Sequence, residues 1–116
     1  MKISPQEIMD GLAEKNRLLS DKNDEYARLV EKRSANEREY NMAAARKTME
    51  LRGKGEPIGL VDKLVKGDGL VAQLKYELEV SIGVEKACLQ AIKNHRSAID
   101  TYRSLLSWLK SEMTGQ

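Results

Sequence analysis

The sequence predicts an all-α fold, a long antiparallel helical hairpin of coiled-coil type with a short helix in its connector. Three observations carry this. Along the C-terminal half, a stripe recurs at alternating steps of three and four: Val71, Leu74, Leu78, Ser81, Glu85, Cys88, Ile92, His95, Ile99, Tyr102, Leu106, Leu109 and Met113. A seam averaging 3.5 residues per turn stays in contact only if two helices wind about each other. Residues 6–52 contain no Pro and a single Gly, Gly11, so a second long helix fits there. Charged residues make up 33% of the chain and aromatic residues 4%, a composition suited to long solvated helices rather than a broad interior.

The first helix is expected over residues 5–52. Ser4 can cap its free amides, Pro5 suits the first helical position, and Glu7 can reach back to close a capping box. At ~1.5 Å per residue such a helix is roughly 70 Å long and needs a partner along much of its length. Its seam reads Met9, Leu12, Asn16, Leu19, Asn23, Tyr26, Val30, Arg33, Glu37, Tyr40, Ala44, Lys47 and Leu51, with Ile8 and Leu29 at the edges of the same face. Asn16 and Asn23 either fix register from inside the seam or face solvent.

The connector, residues 53–68, opens with Gly53-Lys54-Gly55-Glu56-Pro57. Gly53 suits the left-handed position that ends a helix, and Pro57 bars backward continuation. Ile58, Leu60, Val61, Leu64 and Val65 then recur at helical spacing, which predicts a short helix that plugs the hairpin end or docks on another subunit. Asp68 is a good cap for the last helix, expected over residues 69–113. Gly83 interrupts that helix, so either another backbone approaches closely there or the helix bends. Trp108 lies beside the seam, next to Leu105 and Leu109, placed to anchor a second contact surface.

At 116 residues, the chain is read as a single helical domain, 1–116. Twenty Lys and Arg oppose eighteen Asp and Glu, spread almost evenly, with eleven basic and ten acidic groups in residues 1–52 and six and five in residues 70–116. No basic arm is present to attract nucleic acid or an anionic membrane strongly. The one cysteine, Cys88, sits in the seam and reads as a small buried hydrophobe. No signal-like apolar run or membrane-length segment occurs, so a soluble, cytoplasmic protein is expected.

Catalytic patterns are lacking. Gly53-Lys54-Gly55 does not have the spacing of a phosphate loop, and the carboxylates, such as Asp21, Asp24, Glu77 and Glu79, read as solvated faces. His95 is the only histidine and reads as a packed seam residue rather than a metal ligand. No enzyme activity, cofactor or metal is therefore expected. Two surfaces stand as candidates for binding. Arg46, Lys47, Arg52 and Lys54 gather positive charge near the end of the first helix, where phosphates are the natural ligand. Ile58, Leu60, Val61, Leu64 and Trp108, together with Ile82, Leu89 and Leu105, leave apolar surface beyond one seam, which an oligomer contact would cover.

The order of a polar first helix, the connector Gly55-Glu56-Pro57 with Lys66-Gly67-Asp68, and the ending Leu105-Leu106-Ser107-Trp108-Leu109-Lys110 resembles small α-helical accessory proteins of tailed bacteriophages and prophages. The resemblance implies a host-cell cytoplasmic location and no catalytic residues. The expected function is that of a noncatalytic, self-associating interaction protein, a dimer or tetramer, acting as a phage accessory factor with a host or phage protein as partner. Two alternatives stand beside it: a DNA-binding accessory factor in replication or recombination, and a small inhibitor of a host enzyme or defence complex.

Overall fold

The computed structural model describes residues 3–115, which form three α-helices in the order α1 (Pro5–Gly53), α2 (Ile58–Gly67) and α3 (Gly69–Thr114). The fold is the predicted helical hairpin, in which α1 and α3 pack against each other and α2 occupies the connector. The helix starts follow the residues that were expected to write them. Ser4 Oγ accepts from the Glu7 amide at 3.1 Å while Glu7 Oε2 accepts from the Ser4 amide at 3.3 Å, a reciprocal capping box. Asp68 Oδ2 accepts from the Val71 amide at 3.1 Å and so caps α3.

The end of α1 differs from expectation in one residue. Gly53 remains in the last helical turn, and the left-handed position belongs to Gly55, with φ of 81°. The amide of Glu56 donates to the Leu51 carbonyl at 3.1 Å and that of Gly55 to the Arg52 carbonyl at 3.0 Å. These two bonds make a Schellman motif with Gly55 at its left-handed position, two residues beyond the first glycine of the run.

The chain divides into two compact units, Met1–Ala27 with Ala87–Gln116 (unit 1) and Arg28–Lys86 (unit 2). In unit 1, Ile8, Cys88, Ile92 and Ile99 are buried, and Cys88 Sγ lies 3.5 Å from the Lys22 carbonyl oxygen. At Gly11 a side chain of α3 lies close against α1. A Cβ built there would lie 2.7–2.8 Å from the Tyr102 ring and hydroxyl, so the ring rests on bare backbone. At Gly83, in unit 2, nothing lies within 4 Å of such a Cβ, so of the two alternatives expected at that residue the close approach is absent.

Unit 2 holds the turn of the hairpin. Val61 and Val65 of α2 pack with Ala43 and Leu51 of α1 and Val71 of α3, flanked by Tyr40, Ala44 and Leu74. The connector helix therefore plugs the hairpin end with its inner face. Further along, Arg33 Nε donates to Glu85 Oε2 at 2.8 Å across the two helices, and Nη1 donates to Glu37 Oε2 at 3.0 Å. The Glu85 carboxylate, then that of Glu37, holds the Arg33 guanidinium above its ordinary range. Buried Ser81 satisfies its hydroxyl on the Leu78 carbonyl at 2.8 Å.

The α3 seam is observed as predicted from Val71 to Leu109, every position being buried or half-buried; Met113 alone is exposed. In α1 the seam is right at Leu12, Leu19, Tyr26, Val30, Arg33, Tyr40, Ala44, Lys47 and Leu51, as are the flanking Ile8 and Leu29, and one residue late at Met9, Asn16, Asn23 and Glu37. Ile8, Lys15, Lys22, Leu29, Asn36 and Ala43 face the partner helix, while Met9, Asn16, Asn23 and Glu37 are exposed. Asn16 and Asn23 thus face solvent and hold no register. Lysine is tolerated in the stripe because its stem packs while its charge reaches outward. The Lys22 ammonium does this, bonding Glu25 Oε2 at 2.8 Å, which raises its pKa.

Candidate interaction surfaces

Three surfaces of unit 2 and one side chain of unit 1 decide what the protein can bind. The basic stretch at the end of α1 is partly neutralised by its own neighbours. Lys47 Nζ lies 3.5 Å from Glu50 Oε2 and 3.5 Å from Asp68 Oδ1, and Lys54 Nζ donates to Glu50 Oε1 at 3.0 Å. Lys54 and then Lys47 hold the Glu50 carboxyl below its ordinary range. Arg46 and Arg52 are exposed and make no ion pair among the described residues. Two cations of the expected four are thereby already engaged in the local fold.

The second surface is the outer side of α2. Leu60 and Leu64 are exposed there; Ile58, in the first turn of the helix, is 69% exposed but by helical spacing lies on another side, and Leu70 at the start of α3 is exposed as well. Val61 was expected beside them at an oligomer contact, but at 4% exposure it belongs to the core under α2 and offers no outer surface. Helical spacing explains the split: Val61 and Val65, four apart, point inward, and Leu60 and Leu64, also four apart, lie on a flank. Trp108, the remaining expected contact, is 59% exposed on α3 in unit 1. The structure thus groups three of these five residues on one helix and sets Val61 and Trp108 apart from them.

A third surface was not singled out from the sequence. An open cleft of about 410 Å³ is lined by Leu29, Lys32 and Asn36 of α1 and by Tyr76, Glu77, Val80, Ser81 and Val84 of α3. Tyr76, Val80 and Val84 recur every four residues and are exposed, Val80 at 47%. Their spacing was the available signal. It is overshadowed in the sequence by the seam running beside it, whereas Ile82, Leu89 and Leu105, expected among the surplus apolar surface, are half-buried.

Among the described residues no three His, Cys, Asp or Glu side chains gather as a metal-binding group, and no helix is long and apolar enough to cross a membrane. Comparison of the chain with protein-family models, curated proteins and solved structures yields no match.

Proposed function

We propose that the protein is a noncatalytic helical interaction protein that self-associates, acting in the cytoplasm as an accessory factor of the tailed-phage kind. Unsatisfied surface carries this reading. Large apolar side chains stand exposed on the helices, including Ile58, Leu70, Tyr76, Val80, Val84 and Trp108. Such patches in a charged helical protein are characteristic of contact with other proteins.

The reading is tested by multi-angle light scattering at micromolar concentration. It predicts a mass of two or four chains, and a single-chain mass across the concentration range would overturn it. A fluorescence-anisotropy titration with duplex DNA at low salt tests the alternative based on Arg46, Lys47, Arg52 and Lys54. Little binding is expected, because Lys47 and Lys54 already meet carboxylates.

A further inference from the structure

We propose that the cleft formed by Leu29, Tyr76, Val80 and Val84 receives a second copy of this chain, across a two-fold axis near Val80 that sets the two α3 helices antiparallel. This rests on the self-association reading above and names its surface. The first reason is the arrangement of side chains about Val80. Tyr76 and Val84 lie four residues to either side, so a two-fold contact faces each large ring with a small valine and Val80 with itself. An isologous contact demands this kind of self-complementarity.

Charge is the second reason. Lys32 and Glu77 line the same cleft and neither has an ion pair among the described residues; Glu77 only accepts a 3.4 Å hydrogen bond from Gln73 Nε2. Ala43 and Tyr40 of α1 pack in one cluster with Val71 and Leu74 of α3, so in the antiparallel hairpin Lys32 stands near the level of Val80 and Ser81, with which it lines the cleft. The two-fold axis brings the partner's Glu77, three residues before Val80, opposite Gly83, three residues after it. That level lies about 3–5 Å along the helix from Lys32, at ~1.5 Å per residue, within reach of a lysine side chain. Each contact therefore forms the Lys32–Glu77 pair twice, once from each copy.

Sedimentation velocity on the full chain, with circular dichroism as a check of helix content, tests the proposal. The wild type should sediment as an assembly, Val80→Glu should weaken association at least ten-fold with helix content unchanged, and Leu60→Glu with Leu64→Glu on α2 should leave it intact. Lys32→Glu and Glu77→Lys should each weaken association, and the double exchange should recover most of the loss. If the wild type assembles and Val80→Glu assembles equally tightly, this surface is wrong while self-association stands. A monomeric wild type overturns both. Should Val80→Glu lose helix content, the charge exchange decides: a double variant no tighter than the weaker single overturns the proposed pairing.

Discussion

Ile99 is 4% exposed at a seam position of unit 1. Truncation there loses transfer free energy and leaves a cavity, so Ile99→Ala should cost about 2–5 kcal/mol. Exposed Lys93 lies off the stripe, and Lys93→Ala should stay within ~0.5 kcal/mol. Thermal or urea melts of the two variants check the difference. The glycines make a second contrast. Gly83→Ala should stabilise by roughly 0.5–1 kcal/mol, because a methyl meets nothing there and a helix interior favours alanine. Gly11→Ala should show no such gain, since its methyl must displace the Tyr102 ring. Equal stabilisation by both would contradict the close approach at Gly11.

At the scale of elements, the Schellman motif after α1 distinguishes two glycines that look interchangeable in the sequence. Gly55 alone adopts positive φ, so Gly55→Ala should cost about 1–2 kcal/mol, the strain of an L-residue in that conformation. Gly53 lies in the helix with open space around it, and Gly53→Ala should be neutral or stabilising. Chemical denaturation resolves the two. This difference also marks what a sequence can say about elements. Helix α3 was legible almost throughout because Ile92, Ile99, Tyr102 and Leu106 are large and regularly spaced. Helix α1 was legible at its apolar positions and missed where Lys15, Lys22 and Asn36 fill the seam, because a polar name hides the packing of their stems. The apolar α2 was predicted from its spacing, but which of its faces turned inward depended on packing against Leu51 and Val71, residues distant in the chain.

For the molecule as a whole, composition predicted a protein of stripes and surfaces, and the surfaces were the part least visible in advance. Expected contact residues divided among the core (Val61), exposed positions of α2 (Ile58, Leu60, Leu64) and unit 1 (Trp108), while the Val80 cleft depends on two helices meeting and has no local signature in α1. Response to acid is a whole-molecule property that local pairs set. Glu50 is held below its ordinary pKa of 4.5 first by Lys54, then by Lys47. A carboxyl depressed in the folded state contributes stability above its unfolded-state pKa and loses it as pH falls through the folded value. Melting temperature should therefore decline below about pH 4.5. Glu50→Gln should remove part of that decline, and high salt should shrink it at the start, because the pair is exposed and screened. An unchanged acid slope in Glu50→Gln would show that the pair has no such role.

The chain has one cysteine and one tryptophan, Cys88 and Trp108, and both lie in unit 1. The Cys88 thiol is buried, so a thiol reagent reaches it only when that part of the chain opens, and its labelling rate is a stopwatch for opening events. Indole emission watches the C-terminal part of α3 in the same unit, from an exposed ring. The turn of the hairpin is spectroscopically dark by comparison, apart from tyrosines such as Tyr40 and Tyr76. The protein thus reports the opening of unit 1 by two independent signals, and a dye placed in unit 2 is required before melting at the turn of the hairpin can be timed separately.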